Sequence, residues 1–415
     1  MDFEERLGKI FSHGYVCDHC LGRQFAKLLS GFSNDERGIA LRRYFAMRID
    51  SGAPHGNPDM DNFSSFIFRN IRQPESGKSG KRCIVCMGFF DDIEKWVSLC
   101  LKASHGKEFG SFSVGTSLSD SLLGAEESLW EESGMEYCEP VKAEINREVG
   151  KRLEKRLGVK ADLQNPQSTF LISLQEKKVI FSMNPLFIYG EYQKLCRGVP
   201  QTRWPSGKYK TSVEQIIAKP VMRQSGGAEH KLHGLGREDI DARCLGWRPF
   251  VLEITSPVRR TIDMKKAALD VGKSGKVSVR SLRYSSMAEV REIKESRARK
   301  KYQVVVICDR DIKKSELSAL KRLKGEINQR TPKRVEHRRA DKVRSRKVIS
   351  ISASHLAGNK FLLTVEGDAG LYVKELVSGD KGRTNPSVSG LLGCGCVPKD
   401  LDVIAVRKEK KPFKI

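Results

Sequence analysis

The sequence predicts a multidomain α+β protein, with an N-terminal metal-stapled α/β module followed by a mixed-sheet domain. Three observations lead there. The chain has 415 residues, too many for one ordinary core. Two Cys-x-x-Cys pairs lie near its start. From residue 230 onward, strand-like apolar runs alternate with helical patterns. The chain is also basic, with 75 Lys+Arg against 51 Asp+Glu and a net charge of +24. Such an excess favours a polyanionic partner, and its placement favours nucleic acid over an acidic membrane surface. No apolar run approaches the roughly 20 residues of a spanning helix. The start, Met1-Asp2-Phe3-Glu4-Glu5, is acidic and lacks an apolar signal core. A soluble, cytoplasmic protein without a membrane partner is therefore expected.

Residues 22–48, rich in Leu, Ala, Phe and Arg, read as a helical stretch, and 51–62 as a loop. In 141–157, Val141, Ile145, Val149, Leu153 and Leu157 recur every four residues. They make one apolar helix face against a core, with Gly158 as the stop. Two short runs, 170–174 and 179–183, flank Gln175-Glu176-Lys177-Lys178 and predict a hairpin. The following 184–201 continues a mixed pattern that suits a small α/β RNA-binding module. Residues 203–228, basic and rich in Ser, Gly and Pro, read as a boundary, giving domains 1–202 and 203–415. Within that boundary, 211–217 resembles a capped helix. Further on, 304–308, 361–365 and 403–406 read as strands, and Ser315 as the cap of a helix carrying Leu317, Leu320 and Leu323.

Cys17-Asp18-His19-Cys20 and Cys83-Ile84-Val85-Cys86 are separated by 62 residues. Two residues between thiolates let both sulfurs of a knuckle reach one tetrahedral ion. Four thiolates with no open position predict a structural zinc on Cys17, Cys20, Cys83 and Cys86, stapling distant segments. The alternative reading is buried or redox thiols, and His19 inside the first pair makes the assignment ambiguous. Cys394-Gly395-Cys396 is a weaker metal candidate, because one intervening residue is poor knuckle spacing. Cys308, Cys244, Cys196, Cys138 and Cys100 read as packing residues. Eleven cysteines in an intracellular chain do not suggest a disulfide framework.

Residues 234–246, GLGREDIDARCLG, hold three carboxylates, two arginines and three glycines just before an apolar run. A carboxylate fixed on a turn beside an arginine can serve as nucleophile or base. Arg237 is the expected partner of Asp239, whereas Glu238 and Asp241 read as structural or solvated. A magnesium site on Asp239 and Asp241 is disfavoured, since no third acidic cluster follows. Residues 330–347 hold nine Lys or Arg and only two acidic residues. The Thr331-Pro332 turn and Val335, Val343, Val348 and Ile349 among the charges predict an ordered, phosphate-binding ribbon.

CDHCLGRQFA at 17–26, CIVCMG at 83–88, the 184–204 stretch ending RGVPQTRW, and GLGREDIDARCLG closely resemble the tRNA pseudouridine synthase ten family in its archaeal form. So do RTPKRVEHRR at 330–339 and AGLYVKELVSGDKGRTNPSVSGLLG at 369–393. The resemblance covers nearly the whole chain in order. It implies an accessory domain with a THUMP fold and a four-cysteine zinc site, then a pseudouridine synthase domain. It also implies isomerisation of uridine to pseudouridine in the T-loop of tRNA, at positions 54 and 55. The family's catalytic aspartate corresponds to Asp239, its KxY tyrosine to Tyr302, its YVKE basic residue to Lys374, and a strand leucine to Leu401. Arg334, Arg338 and Arg339 of the basic ribbon are the expected tRNA contacts. The isomerisation needs no group donor, and the chain lacks a Walker loop, a convincing dinucleotide fingerprint and a deaminase signature. No organic cofactor is expected; tRNA through its T-arm is the expected partner, DNA is not, and a monomer is the default. The alternative is a non-catalytic, zinc-containing tRNA-binding or RNA-chaperone protein, which would survive loss of Asp239.

Overall fold

The computed structural model describes residues 2–53, 56–72 and 81–408, and contacts divide the chain into Met1–Asn184 and Pro185–Ile415. The first unit runs α1 (Phe3–His13), α2 (Asp18–Gly22), α3 (Asn34–Asp50), α4 (Ile93–Ser104), β1 (Ser111–Ser117), α5 (Asp120–Ser133), α6 (Val141–Leu157), β2 (Lys160–Ala161), β3 (Ser168–Ser173) and β4 (Lys178–Met183). Its sheet has the order β2-β1-β3-β4. Strand β1 is parallel to β2 and β3, as a helical crossover allows, and β3 and β4 form the expected antiparallel hairpin. Helix α6 has the expected bounds and buries Val141, Ile145, Val149 and Leu153. The helical reading of 22–48 needs correction. Helix α2 ends at Gly22, a 3-10 turn covers Arg23–Phe25, and a new helix starts at Asn34 behind a Ser33/Glu36 capping box.

The second unit runs β5 (Leu186–Lys194), α7 (Val213–Ser225), β6 (Glu229–Gly234), β7 (Arg243–Thr255), α8 (Met264–Gly272), β8 (Val277–Ser285), α9 (Met287–Glu295), β9 (Ala298–Cys308), β10 (Gly325–Arg330), β11 (Val343–Ala357), β12 (Lys360–Gly367), α10 (Val373–Ser378), β13 (Thr384–Asn385), α11 (Val388–Leu392) and β14 (Cys396–Lys408). Its mixed sheet has the order β13-β10-β11-β12-β9-β14-β7-β5-β8, with β6 paired to β7. The β14–β7 pairing is parallel, whereas β9 is antiparallel to both β12 and β14. The strands read from sequence at 304–308, 361–365 and 403–406 lie inside β9, β12 and β14. Ser212 caps α7 by accepting the Gln215 N–H, as expected.

Three readings change. The division falls at Asn184/Pro185 rather than 202/203, because β5 pairs with β7 and β8 of the second sheet. For the same reason 186–194 is not part of an N-terminal RNA-binding module. Leu317, Leu320 and Leu323 are buried on a 3-10 helix, Glu316–Leu323, and Ser315 makes no side-chain cap. The basic ribbon is an antiparallel β10–β11 hairpin whose connection carries a 3-10 turn, Lys333–Arg338; Val335 sits on that turn and not on a strand. Among the described residues, no helix is long and apolar enough to cross a membrane.

Candidate functional site

The loop from β6 to β7 is held from beneath by buried charge. Glu238 points inward, and its carboxylate meets the Arg248 guanidinium at 3.2 Å, with both side chains fully buried. The Tyr192 hydroxyl donates to Glu238 Oε2 at 3.0 Å. Gln201 donates to the Tyr192 oxygen at 2.8 Å and to the Gly236 carbonyl at 3.0 Å. Arg248 Nη1 donates to the Leu235 carbonyl at 2.8 Å. The buried Lys194 ammonium donates to the carbonyls of Val199 (2.9 Å), Asp239 (3.0 Å) and Ile240 (3.2 Å). Burial pushes the Lys194 amine down from its ordinary range. The loop backbone is thus fixed at four carbonyls, and Asp239, next to the inward Glu238, lines the pocket. Gly236 takes φ +74°, and a Cβ there would lie 2.7 Å from Lys300 Nζ. The left-handed φ favours glycine there, whereas the Lys300 ammonium can move aside for a side chain.

Asp239 opens onto a pocket of about 740 Å³, lined also by Arg237, Tyr302, Arg334, Arg339, Lys374 and Leu401. Of the expected site residues in this unit, only Arg338, whose side chain lies outside the described residues, is not placed there. Arg334 reaches Asp239 Oδ2 at 3.4 Å and Lys374 reaches it at 3.3 Å. This corrects the expected Arg237–Asp239 pair: Arg237 is exposed, and the charge partners come from the hairpin connection and from α10. Arg334 is itself held by Glu375 Oε1 at 2.7 Å. Burial works against the guanidinium charge, but Glu375 and then Asp239 hold its pKa above the ordinary value. Lys374 also bonds Asp241 at 2.6 Å. Burial opposes the Asp241 charge, yet this ammonium keeps its carboxyl below the usual range.

Tyr302, on β9, is 8% exposed, and burial raises its hydroxyl to about 12. The ring is thus an apolar wall with a neutral hydroxyl. Leu401 and Val403 of β14 complete that wall. Arg339 donates to the Tyr372 hydroxyl at 2.7 Å, and buried Gln329 clamps the Tyr372 backbone N–H and carbonyl, each at 2.9 Å.

Sequence reasoning missed the support layer: Lys194, Tyr192, Gln201, Arg248, Glu375 and Lys300. Lys300 lines the pocket and is pushed down to about 8 by burial and then by Arg248. A signal existed for three of them. Tyr192 and Lys194 follow Leu186 and Ile188 on the inward face of β5 at period two. Arg248 likewise follows Cys244 on the inward face of β7. A charge on a buried strand face requires a partner.

In the first unit, Cys17, Cys20, Cys83 and Cys86 are all buried, and their sulfurs lie within 4.8 Å of one another. Cys17 and Cys86 are 3.7 Å apart. Tetrahedral Zn–S bonds require sulfurs about 3.8 Å apart, so this group is able to hold one ion. Arg23 lies beside Cys20, and its buried Nη2 has no hydrogen-bond partner among the described residues, where a metal-bound thiolate would accept. His19 is outside the group: it bonds Glu144 at 2.9 Å and stacks on Phe90.

Comparison with known proteins gives concordant matches. The family model "Pus10, C-terminal" matches residues 187–407, and "Pus10 THUMP domain, archaeal" matches 96–173. The tRNA pseudouridine synthase Pus10 of Methanothrix thermoacetophila is 38% identical, over 96% of this chain and 93% of its own. That of Pyrococcus furiosus is 36% identical over 97% of each. That of Archaeoglobus fulgidus is 40% identical over 80% of this chain and 96% of its own.

Proposed function

The chain belongs to the Pus10 family of tRNA pseudouridine synthases, and from that premise we propose that it isomerises uridine to pseudouridine in the T-loop of tRNA, at position 54, position 55 or both. One observation carries the reading: Asp239 lines a nucleotide-sized pocket with Tyr302 and Leu401 as apolar walls and two cations beside its carboxylate. Asp239 acts as the essential carboxylate, by attack on the sugar, attack on uracil carbon 6, or removal of a sugar proton. Arg334 and Lys374 orient it and compensate its charge. Tyr302 packs on the flipped uracil as an apolar wall, and its hydroxyl, raised to about 12 by burial, stays protonated and does not itself take the carbon 5 proton. Breaking the glycosidic bond, turning the uracil and rejoining it through carbon 5 conserves all atoms.

The uridine must leave its stack, at a cost of about a few kcal/mol. Contacts from the basic hairpin, including Arg339, to the tRNA backbone offset that cost and make binding salt-sensitive. The protein works as a cytoplasmic monomer in this reading. The test is a pseudouridine-specific chemical map of an unmodified tRNA transcript after incubation with the protein. New T-loop signal is expected; tight binding without signal would favour a binding-only protein.

For the first unit we propose a structural zinc on Cys17, Cys20, Cys83 and Cys86, with the THUMP region as an RNA-binding module. The ion joins segments far apart in sequence, so its binding energy is folding energy, about 10–16 kcal/mol for structural zinc in small domains. Cys83→Ser is expected to lose one equivalent of zinc and to lower the first thermal transition. Unchanged zinc content would refute the assignment.

A further inference from the structure

Cys308 ends β9, while Cys394 and Cys396 flank Gly395 at the entry to β14. The β9–β14 ladder sets Cys396 opposite Cys308, with their sulfurs 3.3 Å apart. Cys394 Sγ lies 3.8 Å from that of Cys396, and all three sulfurs fall within 4.8 Å of one another. A single residue between two cysteines is poor spacing along one chain segment. Here the neighbouring strand supplies the third sulfur, so the ladder overcomes the spacing. The entry to β14 is held by a reciprocal pair of hydrogen bonds. The Gly395 N–H donates to Asp309 Oδ2 at 2.8 Å, and the Asp309 N–H donates back to the Gly395 carbonyl at 3.0 Å. A Cβ on Gly395 would lie 2.6 Å from that Asp309 oxygen and would push the carboxylate aside. Arg310, paired with Glu316 at 2.6 Å and anchored on the Leu392 carbonyl at 2.8 Å, lies near Cys394 and Cys308.

We propose that Cys308, Cys394 and Cys396 form a second metal site, a three-thiolate centre for a thiophilic cation such as Zn²⁺. The 3.8 Å between Cys394 and Cys396 matches two bonds of about 2.3 Å to a shared tetrahedral ion, and the 3.3 Å pair of Cys308 and Cys396 has to open by about half an ångström on binding. On binding, each thiol releases its proton to solvent, and three thiolates with a divalent ion leave one net negative charge. Cys308 and Cys396 are buried, whereas Cys394 is half-buried and gives the ion its route in. The ion would tie the end of β9 to the start of β14, the strands that carry Tyr302 and Leu401. The proposal stands on this cluster alone and does not depend on the reaction catalysed.

The test is zinc content per full-length chain, measured by elemental mass spectrometry after reduction, zinc loading and exhaustive dialysis. Wild type is expected to hold one equivalent more than Cys394→Ser/Cys396→Ser, and Cys17→Ser/Cys20→Ser to lose a different equivalent. Cys394→Ser alone, at a half-buried position, guards against misfolding; with unchanged circular dichroism it should still bind zinc at least tenfold more weakly in competition with a chelator. Cobalt substitution should show thiolate charge-transfer intensity that falls in this variant. Equal zinc content and affinity in wild type and the Cys394 variants would overturn the proposal. A Cys308–Cys396 disulfide in protein purified without reductant and resistant to zinc loading would overturn it too.

Discussion

Asp239→Asn is expected to abolish pseudouridine formation, with at least a ~10⁴-fold loss of single-turnover rate, or about 5.5 kcal/mol of transition-state stabilisation. The amide keeps the size of the side chain but removes its charge, its basicity and its capacity as a nucleophile. The loop should not move, because its carbonyls are held by Lys194, Gln201 and Arg248 and its neighbour Glu238 is locked beneath. Binding of tRNA should therefore stay within a few-fold of wild type, since phosphate contacts come from elsewhere on the surface. A chemical map of the T-loop together with filter-binding affinity makes the check. An active variant would remove Asp239 from the chemistry. A variant that lost binding as well would point to a role in holding RNA. Arg334 and Lys374 lie 3.4 and 3.3 Å from the same carboxylate oxygen, so substituting either alone should be milder than substituting Asp239.

The second large effect is on stability. Glu238→Ala leaves the Arg248 guanidinium fully buried without its counter-charge and strips Tyr192 of its acceptor. Breaking one side of such a pair costs about 3–5 kcal/mol, a large share of the roughly 5–15 kcal/mol that separates folded from unfolded domains. The denaturant midpoint of the second unit's transition should fall accordingly. Glu238→Leu combined with Arg248→Met removes both charges and should recover more than half of that loss, because the desolvation penalty disappears with the pair. If the double variant were as unstable as Glu238→Ala, packing rather than buried charge would be the cause. Neither variant is expected to be active, since the pair sets the loop that carries Asp239.

These expectations trace back to features with very different visibility. Local signals reported the regular elements well. The four-residue apolar spacing in 141–157 and the Ser212 cap depend on neighbours a few residues away, so the sequence alone places α6 and the start of α7. The specific motifs also marked Asp239, Tyr302, Lys374 and Leu401, all of which line one pocket. What stayed hidden depends on long-range pairing. The edge of the second unit follows from β5 joining a sheet whose other strands come from 243–255 and 277–285. The 3-10 geometry at Glu316–Leu323 follows from packing, since i, i+3 leucines fit either helix type.

The sequence by itself determined the basic character, the two-part organisation, the cysteine pairs and the identity of the pocket-lining acid, base and aromatic, because composition, spacing and motif are properties of the chain. Only the tertiary structure decided which cation faces Asp239, that Lys194 and the Glu238–Arg248 pair hold its loop, and that Cys308 joins Cys394 and Cys396. The reason is physical. A charge–charge or sulfur–sulfur contact is fixed by strand register and burial, and residues adjacent in space across the sheet, such as 308 and 396, carry no mark of it in their separation along the chain.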